Sequence, residues 1–165
     1  SALLHEAADE GHIAGINATR SIPLCFSRRT PLAMVFSDPN IAMVGSRYDA
    51  LDHNTTLIGE VSFSNQGRAR LGQRNKGMLR LYAQADSGRL LGAEMCAPAG
   101  EHLAHLLALA IDRSLSVREL LRMPFYHPVL EEGLRTALRN LAAQLPVGNG
   151  SDLTMCEAFN LEALD

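Results

Sequence analysis

The sequence has 165 residues, enough for one domain with a sizeable core and too few for two large ones. Hydrophobic residues make up 47%, charged residues 20% and aromatics 5% with no Trp, a globular balance that excludes disordered, collagenous and coiled-coil readings. With 15 Lys plus Arg against 18 Asp plus Glu, the net charge of -3 makes no electrostatic case for nucleic acid as a main partner.

The first residues read as a helix. Leu3, Leu4, Ala7, Ala8, Ile13 and Ala14 form an approximate helical stripe, weakened by Gly11 and Gly15. A helix that opens the sequence without a cap reads as cut from something longer. Residues 21–31 lack periodicity and read as a connector. Strand patterns follow at 33–36, 41–44, 57–64, 78–85 and 89–96. The turn signal Ser37-Asp38-Pro39-Asn40 closes the first, and Asp86-Ser87-Gly88 joins the last two as a hairpin.

Helices then take over. Residues 100–113 place Leu103, Leu106, Leu107, Ala110 and Ile111 on an inner face. Ser116 and Glu119 form a capping box for a short helix to about Arg122. Pro128 opens a last helix, with Leu130, Leu134, Ala137, Leu138 and Leu141 as its stripe; Pro146, Gly148 and Gly150 end it. Strands followed by helices predict an α+β fold, an antiparallel sheet of about five strands covered by helices on one side. The longest apolar run in a helix, 103–111, contains His105 and is far too short for a bilayer, so no membrane partner is expected. No basic-then-apolar leader opens the sequence, and a cytoplasmic address is the expectation.

Chemistry-bearing motifs are sparse. There is no GxGxxG, no GxxxxGK[ST], no nucleophile elbow and no HExxH. Cys25, Cys96 and Cys156 are odd in number and far apart, which suits reduced, mostly buried thiols. The basic run Arg68, Arg70, Arg74, Lys76 and Arg80 lacks interleaved aromatics and reads as a solvated hairpin loop. His102 and His105 share a helix but have no further ligand nearby, so no metal site is expected. One constellation carries more, Phe125-Tyr126-His127-Pro128-Val129-Leu130-Glu131-Glu132. Pro128 suits a first helical position, which puts His127 just outside the helix. At 100° per residue from Leu134, Glu131 flanks the apolar stripe and Glu132 lies on its far side. A carboxylate beside an imidazole fixes its tautomer for acid-base work, although a capping His beside an exposed Glu is more often structural.

Three stretches, Leu-Leu-His-Glu-Ala-Ala-Asp-Glu-Gly (3–11), Val-Phe-Ser-Asp-Pro-Asn-Ile-Ala-Met-Val-Gly (35–45) and His-Pro-Val-Leu-Glu-Glu (127–132), occur in the order seen in the pyridine nucleotide-disulfide oxidoreductases. Gly88-Arg89-Leu90-Leu91-Gly92-Ala93-Glu94 and Gly100-Glu101 also fit. From residue 3 to about 143 the sequence resembles the C-terminal dimerisation domain of that family, most like its dihydrolipoyl dehydrogenase branch. The glutathione-reductase-like, mercuric-reductase-like and transhydrogenase branches, or a non-catalytic dimerisation module, are the alternatives.

The resemblance implies a division into the end of an FAD-binding domain (1–20), a connector (21–31), the dimerisation domain (32–145) and a C-terminal tail (146–165). It implies that His127 is the acid-base catalyst of dithiol–disulfide exchange, oriented by Glu132. The pair would act across a homodimer, on the flavin and redox disulfide of the other subunit. It implies that Ala2, Leu3, Leu4 and His5 belong to a flavin-contacting segment. FAD and NAD(P) are then cofactors of the full-length enzyme, and a small dithiol or a lipoyl-bearing protein is its substrate. The family's redox CxxxxC and dinucleotide fingerprints are absent from these residues, so the piece by itself is expected to hold no cofactor and to be inactive.

Overall fold

A computed structural model describes residues 3–146 and 152–153. Five strands form one antiparallel sheet: β1 (Leu32–Val35), β2 (Asn40–Gly45), β3 (Thr56–Ser62), β4 (Met78–Gln84) and β5 (Leu90–Ala97). Among the described residues five α-helices accompany them: α1 (Leu4–Ala18), α2 (Gly67–Leu71), α3 (Gly100–Asp112), α4 (Val117–Leu121) and α5 (Glu131–Ala142). The strand order is β1-β2-β5-β4-β3, so the last strand in sequence lies at the centre. The predicted hairpin between β4 and β5 turns at Gly88, whose φ of 68° is the left-handed conformation that glycine adopts without a Cβ clash.

The alternation along the strands decides which face is covered. Ala42, Val44, Leu79, Leu81, Ala93 and Met95 are buried on one face. α3 packs there against β2 and β5, and α5 packs against β3 and β4. Leu103, Leu107 and Ala110 of α3 and Leu134, Ala137, Leu138 and Leu141 of α5 complete the core. The other face carries the register neighbours Glu60, Arg80 and Glu94. Arg80 pairs with Glu60 at 2.7 Å. The Tyr82 hydroxyl donates to Glu94. Tyr48, on the crossing from β2 to β3, stacks on His53 and covers the Tyr82 ring.

α5 is seated on the edge strand β3 at a glycine. A Cβ on Gly59 would stand 2.3 Å from the Ala137 carbonyl oxygen and 2.6 Å from Leu141 Cγ. Beside this contact, Asn140 Nδ2 donates to the Glu60 carbonyl at 2.6 Å and Gln144 Nε2 donates to the Ile58 carbonyl at 2.7 Å. The helix thus occupies carbonyls that an edge strand leaves unpaired.

α1 stands apart from these layers. None of its residues is buried. It is tied to the following segment instead, by Arg28–Glu10 at 2.6 Å, Arg29–Asp9 at 2.8 Å and the Asn17 carboxamide on the Leu24 backbone. Among the described residues no helix is long and apolar enough to cross a membrane.

Three local expectations are corrected. The basic stretch is not simply a solvated loop: residues 67–71 form α2, because Gln66 caps it and Ala69 finds a buried place under it. Cys25 is exposed and Cys96 half-buried, since one lies in the unpacked connector and the other on the open face of the sheet. Cys156 lies outside the described residues. α5 begins at Glu131, three residues later than Pro128 suggested. The side chains of Glu132 and Gln66, not a helical turn, satisfy the Val129 backbone.

A candidate acid-base site at the start of α5

His127 sits in the turn ahead of α5, outside the helix as expected, and the His127–Pro128 bond is cis. The capping-type reach of Glu132 builds the rest. Its Oε2 accepts the Val129 N–H at 3.1 Å, and its Oε1 accepts the His127 Nδ1–H at 2.9 Å. One carboxylate therefore closes the turn and holds the imidazole. The Glu132 carboxyl is held below the usual carboxylate range, first by the hydrogen bond from His127 and then by the Val129 N–H, against the opposing effect of burial. The His127 side chain is 80% exposed and that of Glu132 is 29% exposed. The arrangement presents an imidazole to solvent with one nitrogen fixed from behind and Nε2 left for a reacting proton.

What lies in front of the imidazole is an open groove of about 470 Å³, lined by Gly67, Arg70, Leu71, His127 and Pro128. Leu71 is 70% exposed along it, so the groove offers an apolar wall and one cation. Glu131, the flanking carboxylate, lines a different groove with Arg68 and His102. Arg135 lies over the Phe125 ring at 5.4 Å, one turn along α5.

Gln66 was not anticipated. Its Nε2 donates to the Val129 carbonyl at 2.7 Å and its Oε1 accepts from the Ala69 N–H at 2.7 Å. A lone Gln at the head of a basic run offers no sequence signal, because its partner is 63 residues away.

The expected flavin-contacting segment is not brought to this turn. Ala2 lies outside the described residues. Leu3, Leu4 and His5 stand at the start of α1, with Leu4 87% exposed. His5 borders a cavity of about 380 Å³ between α1 and the connector, together with Glu6, Asp9 and His12. Arg28 and Arg29 border the same cavity, the first paired with Glu10 and the second with Asp9, so its charged lining is of both signs. Among the described residues no group of three or more His, Cys, Asp or Glu could hold a metal ion, and the His105 Nδ1–H is spent on the Glu101 carbonyl at 2.6 Å.

The family described as the dimerisation domain of the pyridine nucleotide-disulphide oxidoreductases matches residues 32–138. The chain belongs to this family. The chain is similar to part of the dihydrolipoyl dehydrogenase of Haloferax volcanii, 31% identical over 144 residues that cover 86% of this chain and 30% of that protein. The mitochondrial dihydrolipoyl dehydrogenase of Canis lupus familiaris is 29% identical over 145 residues, covering 86% of this chain and 28% of the relative. Among solved structures, LpdA from Mycobacterium tuberculosis matches with a TM-score of 0.72 at 26% identity, over 84% of this chain and 31% of that one. The chain thus spans under a third of the length of these relatives. The α+β dimerisation-domain fold expected from the residues is the fold observed.

Proposed function

We propose that the chain is the dimerisation and acid-base part of an FAD-dependent, NAD(P)-linked disulfide oxidoreductase of the dihydrolipoyl dehydrogenase kind, working as a homodimer. In this reading residues 32–145 are the dimerisation domain, 1–20 the end of an FAD-binding domain, 21–31 a connector and 146–165 a tail. Ala2, Leu3, Leu4 and His5 are assigned to the edge of the flavin site. FAD and NAD(P), when bound to the full-length protein, supply hydride transfer.

The work of this chain's own residues is a proton. The His127 imidazole takes the proton of a substrate thiol at Nε2 as the sulfur attacks a disulfide, and returns it in the reverse direction. Glu132 keeps Nδ1 protonated, so Nε2 is the basic nitrogen, and its charge stabilises the imidazolium that forms. A thiolate, not a thiol, is the nucleophile in disulfide exchange, which is why such a base is needed near neutral pH. The observation that carries the proposal is the 2.9 Å contact between His127 Nδ1 and Glu132 Oε1 beside an open groove. The substrate is then a small dithiol, or a lipoyl arm on a protein, able to reach an exposed imidazole. The test is NAD reduction by dihydrolipoamide with the full-length protein. Turnover that collapses in His127→Gln supports the proposal; turnover that is unchanged contradicts it.

A further inference from the structure

The turn that holds His127 is fastened on two sides, and Glu132 accounts for only one. Glu132 Oε2 takes the Val129 N–H at 3.1 Å, while the Val129 carbonyl accepts from Gln66 Nε2 at 2.7 Å. Gln66 is not free to drift, because the other end of its carboxamide accepts the Ala69 N–H at 2.7 Å and caps α2. Its own carbonyl accepts from Arg70 N at 3.0 Å. The segment carrying it is anchored by Phe63, fully buried, whose ring meets the backbone of α5 at Gly133. Gln66 therefore couples α2, one wall of the groove, to the residue two positions after the imidazole.

We propose that Gln66 is a positioning residue for His127, holding the Val129 peptide so that the imidazole stays on Glu132 and its Nε2 faces the groove. The chemistry requires a carboxamide. Its oxygen caps a helix while its nitrogen donates to a carbonyl, and neither a carboxylate nor an amine performs both tasks. An exposed side chain preceding a helix has few contacts of its own, so its direction depends on the peptide it grows from. A displacement of about 1 Å at a reacting group is worth roughly 10²-fold in rate. The inference rests on the acid-base role proposed for His127, and the experiment separates the two.

The readout is the tautomer of His127, measured by long-range 1H–15N spectra of the neutral imidazole. It is compared in the unaltered chain, Gln66→Glu, Gln66→Met and Glu132→Gln. Gln66→Glu keeps the oxygen that caps α2 and sets a second oxygen against the Val129 carbonyl, replacing the donor to the turn by a repulsion, whereas Gln66→Met removes both contacts. The unaltered chain should show the Nδ1–H tautomer in about fivefold excess, the ratio given by about 1 kcal/mol of net hydrogen bond. That excess should fall to about twofold or less in all three variants, while the dispersed amide spectrum persists. An excess lost in Glu132→Gln but kept in both Gln66 variants overturns the positioning role and leaves the dyad intact. No excess in the unaltered chain overturns the dyad and the inference with it. Should the Gln66 variants fail to fold, the scalar coupling across the hydrogen bond from Gln66 Nε2 to the Val129 carbonyl carbon is read in the unaltered chain. Its absence overturns the link.

Discussion

Replacing Gly59 by alanine tests how α5, and with it Glu132, is placed. The new Cβ would lie 2.3 Å from the Ala137 carbonyl oxygen and 2.6 Å from Leu141 Cγ. An ordinary carbon-to-oxygen contact is about 3.3–3.6 Å, so the helix has to retreat by about 1 Å. The contact is with backbone, and no rotamer change relieves it. Overpacking of this kind costs about 1–3 kcal/mol. The retreat also stretches the bonds from Asn140 to the Glu60 carbonyl and from Gln144 to the Ile58 carbonyl. Each contributes about 0.5–1.5 kcal/mol. Against this, removing a strand glycine returns about 0.5–1 kcal/mol. The balance is a loss of about 3 kcal/mol, which for a chain of this size lowers Tm by about 6–12 °C. The assay is thermal and urea unfolding of Gly59→Ala beside Gly67→Ala, where nothing stands within 4 Å of the added Cβ. A loss under about 1 kcal/mol for Gly59→Ala would refute the seating of α5 on the strand.

Three further outcomes are expected. Ser116→Ala removes the hydroxyl that accepts the Glu119 N–H and breaks the capping box, at a cost of about 1 kcal/mol in urea unfolding. Glu132 has its folded-state pKa below the unfolded one, so its stabilisation is fully present above the unfolded value and is lost as pH falls through the folded value. The stability gap between the unaltered chain and Glu132→Gln should therefore narrow on acidification below about pH 4.3, read from urea titrations at several pH values. The chain should sediment at equilibrium with twice the monomer mass of 17.9 kDa, and a monomer at high concentration would count against the homodimer.

The sequence made the elements legible where local patterns decide them. The alternation of Leu57, Gly59 and Val61, the capping box at Ser116 and the glycine of the β4–β5 hairpin all appear in the structure where they were read. The central place of β5 was not legible, because strand order depends on pairing between residues far apart in the chain. α2 was missed since a single buried Ala69 among arginines leaves no periodic trace. At the site, the family resemblance singled out His127 and Glu132, two side chains that the fold does bring together. The start of α5 was misplaced because the Val129 peptide is satisfied by Glu132 and by Gln66, and the second of these lies across the molecule.

The central claim is that His127 moves a proton under the control of Glu132, and three variants of the full-length protein test it most directly. The quantities are the steady-state rate with a disulfide or dithiol substrate and, separately, the rate at which the nicotinamide reduces the flavin. His127→Gln should lower the first by about 10²–10⁴ and leave the second nearly unchanged, because hydride transfer does not use this proton. Glu132→Gln should cost less, since the imidazole remains, and Glu131→Gln should cost little, since that carboxylate lines another groove. Equal and minor losses at His127 and Glu131 would contradict the account and reduce the His-Pro turn to a helix cap.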